Sequence, residues 1–213
     1  MKRFYFPIAA ISAAFVLSGL PAFLLTGCAG SHQVDFQHFD QSIVTVAQWG
    51  GTRDTLTHPV QKITHITLHH GGVDFTKDED PRAYLRNLQN WSRSEKKWMD
   101  IPYHYLIDLD GTIYEGRDIR YAGDTNTEYD PTGHALICVL GNYENITPTK
   151  KQLNSIVNLF TWLCLKYHLS PDVIKGHKDY SKITVCPGKN LYAYLADGYF
   201  QRKVEKELEH MKK

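Results

Sequence analysis

Ile63-Thr64-His65-Ile66-Thr67-Leu68-His69-His70-Gly71-Gly72 is the stretch that sets the fold class. Ile63, Thr64, Ile66 and Thr67 are β-branched, and Leu68 extends the apolar character up to His69. Such a run closed by two glycines predicts a strand over Ile63–His69 with a breaker behind it. A helix is predicted next, over Pro81–Ser94. Pro81 suits a first helical turn, and Tyr84, Leu85, Leu88 and Trp91 recur at helical spacing. Tyr103–Asp108 and Thr112–Glu115 then flank Leu109-Asp110-Gly111, whose Asp-Gly marks a hairpin turn.

Further along, Ala135–Leu140 is a continuous apolar run ended by Gly141, which reads as a buried strand. Thr147-Pro148 opens a long helix running to about His168, with Leu153, Ile156, Val157, Phe160, Leu163 and Cys164 as its apolar stripe. Val173–Gly176 is a short strand, and a last helix is expected from near Leu191. The tail from Gln201 to Lys213 is highly charged and is expected to be solvated or frayed. Alternating strands and helices with one hairpin predict an α/β fold, a single domain with a central mixed sheet and helices on its faces. The chain of 213 residues is long enough for one such domain with a real core.

The N-terminus stands apart from that domain. Met1-Lys2-Arg3 is a short basic segment, and the apolar stretch from Phe4 to Leu25 carries no charge. This is the layout of a secretory signal. Pro7, Gly19 and Pro21 interrupt it, whereas a membrane span needs roughly 20 predominantly apolar residues. Leu25-Thr26-Gly27-Cys28 resembles the bacterial lipobox, which implies lipid transfer to the Cys28 sulfur and cleavage after Gly27. Residues 1–27 are therefore expected as a lipoprotein signal, 28–42 as the anchor Cys and a polar tether, and 43–213 as the folded domain. The expected location is the cell envelope, anchored to a membrane by lipid at Cys28. Ala29 is compatible with an outer membrane, facing the periplasm, where a cell has one.

Charge is nearly balanced, 24 Lys plus Arg against 23 Asp plus Glu, so no nucleic-acid partner is expected. Without Cys28, Cys138, Cys164 and Cys186 remain, an odd number that argues against a disulfide framework. Cys138 and Cys164 fall in apolar patterns and read as small buried residues. Cys186, between Val185 and Pro187-Gly188, does not.

Three groups draw chemical attention. His69-His70 closes the first strand, His177 in Lys175-Gly176-His177-Lys178-Asp179 follows another, and Cys186 lies nine positions later in Thr184-Val185-Cys186-Pro187-Gly188. Strand ends project side chains into a shared crevice. Two His and one Cys suit a zinc ion that keeps a fourth position for water. On the residues alone this stays one arrangement among several, since most histidines are ordinary core or surface residues and the spacing is not that of a zinc finger.

The chain resembles the zinc N-acetylmuramoyl-L-alanine amidases of the peptidoglycan-recognition and phage-lysozyme type over most of residues 43–192. Ile43-Val44-Thr45-Val46-Ala47-Gln48-Trp49-Gly50 is similar to the family's opening Trp-Gly segment, and Ile66-Thr67-Leu68-His69-His70 to its first metal strand. Trp98-Met99-Asp100-Ile101-Pro102-Tyr103-His104-Tyr105-Leu106-Ile107 resembles its central strand, with Pro102 where Gly is common. Asp110-Gly111-Thr112-Ile113-Tyr114-Glu115-Gly116-Arg117 resembles its hairpin. Gly176-His177 and Thr184-Val185-Cys186-Pro187-Gly188 resemble its second metal segment, with a loop one residue longer than in close relatives.

The resemblance implies that His69, His177 and Cys186 hold Zn2+, that Tyr103 is the active-site tyrosine, and that Thr184 assists at the oxyanion. His70 and Trp98 would line the substrate groove. It implies a monomeric enzyme whose zinc-activated water hydrolyses the amide between N-acetylmuramic acid and L-alanine, with peptidoglycan or muramyl peptides as partners. Two other readings stand beside it. One is a non-catalytic peptidoglycan-binding module, although such members usually lack a metal ligand. The other is a cysteine peptidase built on Cys186 and His177, for which no orienting Asn or Asp is identifiable.

Overall fold

A computed structural model describes residues 34–211; the expected signal and Cys28 lie outside the described residues. β1 (His65–His70) runs parallel to both β4 (His134–Val139) and β5 (Ile174–Gly176). β2 (Tyr105–Ile107) runs parallel to β4 and antiparallel to β3 (Ile113–Glu115), giving a mixed sheet of order β3-β2-β4-β1-β5. This is the expected α/β architecture.

Helices cover both faces, which is why β4 is buried along its whole length. Successive strand residues point to opposite faces. Ile66, Leu68, Ile137, Val139 and Ile174 meet the face covered by α3 (Lys150–Tyr167), α4 (Lys189–Ala196) and α5 (Tyr199–His210). Leu106, Cys138 and Leu140 meet the other, covered by α1 (Val46–Trp49) and α2 (Pro81–Ser94). Pro81 occupies the first turn of α2, and the Asp80 side chain accepts from the Arg82 N–H. α3 starts at Lys150, after Thr149, because Thr149 and Gln152 form a reciprocal capping box. No helix among the described residues is long and apolar enough to cross a membrane.

Two boundaries differ from expectation. Part of the stretch expected as tether is folded: Phe36 and Phe39 are buried, and the Phe39 ring lies 5.7 Å from that of Trp162 on α3. Among the described residues, packing on the core therefore reaches back to Val34, ahead of Ile43. At the other end, Gly198 at φ 72 separates α4 from α5. The charged tail is helical to His210, because Phe200, Val204 and Leu208, four residues apart, form a stripe on the core.

His104 gives the fold a pH dependence. It is 1 % exposed; its Nδ1 accepts from the Leu136 N–H (2.8 Å) and its Nε2 donates to the Tyr121 carbonyl (2.9 Å). Burial pushes its pKa from 6.5 to about 4, so the folded imidazole is neutral. The unfolded chain takes up this proton near pH 6.5 and the folded chain only near 4. The contribution is complete above 6.5 and is lost as pH falls towards 4, on the order of 3 kcal/mol. Denaturant unfolding of the metal-free protein at pH 7.5 and 4.5 checks this: His104→Gln is expected to flatten the fall seen in wild type, and an unchanged slope would contradict it.

Candidate metal centre

The sheet register assembles the site. Leu68 pairs with Gly176 on parallel strands, so the next residues, His69 and His177, emerge side by side from one carboxyl edge. Their ring centroids are 4.5 Å apart. Cys186 returns to the same point on a folded-back loop. The Lys178 N–H donates to the Cys186 carbonyl (2.9 Å), and the Cys186 N–H donates to Thr184 Oγ1 (3.1 Å). Gly188 permits the return. A Cβ there would sit 2.5 Å from the Tyr143 carbonyl carbon, and its φ of +86° favours glycine.

His69, His177 and Cys186 are all buried, and they offer ligand atoms lying within 4.8 Å of one another. His69 Nδ1 is 3.6 Å from Cys186 Sγ. A tetrahedral ion with Zn–S of about 2.3 Å and Zn–N of about 2.0–2.1 Å places two such donors about 3.6 Å apart. Burial holds His69 well below the ordinary histidine range and His177 down to about 4, so both are neutral with a lone pair to give. Burial also pushes the Cys186 thiol up to about 12, opposed by the His70 N–H, which donates to its sulfur at 3.4 Å. Such a thiol is no free nucleophile near neutral pH, and a cation is the partner that draws its proton off. The donor set fits zinc, and the cysteine-peptidase reading finds no support.

Around the three donors runs a groove of about 300 Å³, which His70, Trp98, Tyr103 and Thr184 also line. The structure thus brings together every site residue expected from sequence except Cys28, which lies outside the described residues. Tyr103 is half-buried, with its ring 5.2 Å from that of His69. Burial first, then Cys138 and Cys186, keeps its phenol protonated. Thr184 Oγ1 accepts from the Cys186 N–H and keeps its own proton to donate. His70 Nδ1 accepts from the Tyr143 N–H at 3.2 Å, which leaves its proton on Nε2.

One loop at the groove carries no signal in the sequence. Thr125, Asn126 and Thr127 line the groove, and Thr127 Oγ1 lies 2.8 Å from His177 Nε2. The Tyr129 ring packs 5.2 Å from that of His177, and its hydroxyl is buried with no partner among the described residues. This loop has neither periodicity nor a metal-ligand spacing, and nothing but three-dimensional proximity marks it.

The family model for N-acetylmuramoyl-L-alanine amidase matches residues 59–189. Peptidoglycan-recognition protein SD of Drosophila simulans is 32% identical over 163 residues, covering 72% of this chain and 83% of the relative. Peptidoglycan recognition protein 1 of Mus musculus is 31% identical over 143 residues, covering 66% and 76%. The crystal structure of Drosophila peptidoglycan recognition protein SD superposes with a TM-score of 0.64 at 30% identity, covering 72% of this chain and 92% of that one. Human PGRP-IβC in complex with glycosamyl muramyl pentapeptide gives 0.61 at 26% identity, covering 73% and 94%. With the match spanning residues 59–189 and so all three donors, the chain belongs to the N-acetylmuramoyl-L-alanine amidase family.

Proposed function

We propose that this protein is a zinc-dependent hydrolase that cleaves the amide between N-acetylmuramic acid and L-alanine in peptidoglycan or its muramyl peptides. The supporting observation is the intact His69, His177 and Cys186 donor set at the floor of an open groove. A relative is known bound to a muramyl pentapeptide, which supports the same class of ligand here. Bound zinc would supply an acidified water and a Lewis acid for the amide carbonyl.

The chain's own residues do the rest. Tyr103, kept protonated by burial, donates its O–H where negative charge develops on the lactyl carbonyl oxygen. The Thr184 hydroxyl, with its acceptor side already used by the Cys186 N–H, donates into the same region. His70 presents Nε2–H to the groove as a neutral donor for the stem peptide. Trp98, with the exposed Trp91 beside it at 5.9 Å between ring centroids, gives an apolar wall against which the substrate packs. The domain acts as a monomer.

The test is hydrolysis of a soluble muramyl peptide by the protein stripped with chelator and then resupplied with zinc. Loss and return of turnover is the expected result. Tight binding of the muramyl peptide with no turnover at any zinc level would favour a recognition module instead. On the lipobox-like Leu25-Thr26-Gly27-Cys28 we also propose that the protein is in the cell envelope, lipid-anchored at Cys28, and facing the periplasm from the outer membrane where there is one. Mass spectrometry of the mature N-terminus is expected to show a chain beginning at a lipid-modified Cys28; an unmodified Cys28 or an intact Met1 end would refute it.

A further inference from the structure

We propose that Thr127 is a positioning residue of the metal centre: its hydroxyl accepts the Nε2 proton of His177 and so fixes the tautomer whose Nδ1 faces the metal. This rests on the zinc reading above. A neutral imidazole carries one proton, and the hydrogen bond made by one ring nitrogen decides which nitrogen is left for a metal. His177 Nε2 lies 2.8 Å from Thr127 Oγ1.

Thr127 Oγ1 also lies 2.8 Å from Thr125 Oγ1, which in addition accepts from the Thr127 N–H at 3.2 Å. In the sense proposed, His177 Nε2–H donates to the Thr127 oxygen and the Thr127 O–H donates to the Thr125 oxygen, whose two lone pairs then take both the N–H and the O–H of Thr127. The opposite sense would leave the proton on His177 Nδ1 and remove that nitrogen from coordination. His69 also sets Nδ1 towards the site, 3.6 Å from the Cys186 sulfur, but its buried Nε2 has no partner among the described residues, so the hydroxyl contact is particular to His177.

The loop bearing Thr127 is fastened to the segment between His177 and Cys186. The Glu128 carboxylate accepts from Ser181 Oγ at 2.7 Å and from the Lys182 N–H at 3.1 Å. The Tyr129 ring, packed against the His177 ring, restricts its rotation. Thr127 thus acts on the metal through His177, and the loop holds it in place to do so.

Zinc affinity of the detergent-solubilised full chain, measured by competition with a chromophoric chelator, tests this without reference to turnover. Thr127→Val keeps the shape and removes the acceptor; it is expected to weaken zinc binding ~10–100-fold. Thr127→Ser restores the acceptor and is expected to bind as wild type. Zinc binding unchanged or tightened in Thr127→Val, or weakened alike in both variants, overturns the proposal. The His177 tautomer in the zinc-free wild-type chain, read by nitrogen NMR, needs no variant to fold: a proton on Nε2 is expected, and one on Nδ1 overturns the proposal. A wild-type chain that binds no zinc would overturn the metal reading itself, an outcome distinct from wild-type binding with an indifferent Thr127→Val.

Discussion

Replacing His177 and Cys186 together by alanine is expected to abolish both zinc binding and muramyl-amide hydrolysis. The variant leaves His69 as the lone donor of the buried group. One imidazole cannot make a tetrahedral site that withstands a chelator. The lost Lewis acid and activated water represent several kcal/mol of transition-state stabilisation. At about 1.36 kcal/mol per tenfold, turnover falls on the order of 10³-fold or more. His177 follows the end of the edge strand β5 and Cys186 lies in the loop before α4, so the fold survives and circular dichroism of the metal-free variant should match wild type. Metal analysis beside the kinetics reads the result. Full zinc occupancy in this double variant would contradict the ligand assignment.

Tyr103→Phe is the second large effect, and it separates chemistry from binding. The substitution removes one oxygen from a half-buried ring beside His69 and leaves the ring's packing in place. If that hydroxyl meets charge that develops only in the transition state, kcat falls while KM hardly moves. A well-placed oxyanion donor is worth roughly 2.7–4 kcal/mol, or ~10²–10³ in rate. Zinc content stays at the wild-type level, because the donor set does not include the phenol. A variant with wild-type kcat would make Tyr103 a packing residue and leave Thr184 as the side-chain donor.

Where local chemistry sets a boundary, the sequence shows it. α2 falls on Pro81–Ser94 as expected, since Asp80 caps it and Pro81 can stand only in a first turn. α3 starts slightly later than its Thr-Pro signal suggested, because the Thr149 and Gln152 box supplies the better cap. The central strands were legible because burial on both faces leaves continuous apolar runs. Phe36, Phe39 and the stripe of Phe200, Val204 and Leu208 were hidden for the opposite reason: each apolar residue sits among polar neighbours, and only the surface it meets reveals its role.

The candidate site divides in the same way. His69, His177 and Cys186 stand out as residue types at strand ends or beside Pro-Gly, and the family resemblance connects them across the chain. Their tautomers and ionisation do not, because these come from burial and from partners distant in sequence. Thr127 is 50 residues from the histidine it bonds. Its role follows from a loop folded against the segment after β5, which no local pattern encodes.

Mass spectrometry of peptidoglycan fragments released by the zinc-loaded protein decides whether this groove is an amidase site. Glycan strands ending at a free lactyl carboxyl group, together with stem peptides that begin at a free L-alanine amine, are the expected products, and they should be absent after chelation. Intact peptidoglycan, or cleavage at a glycosidic bond or within the stem peptide, would contradict the proposed reaction.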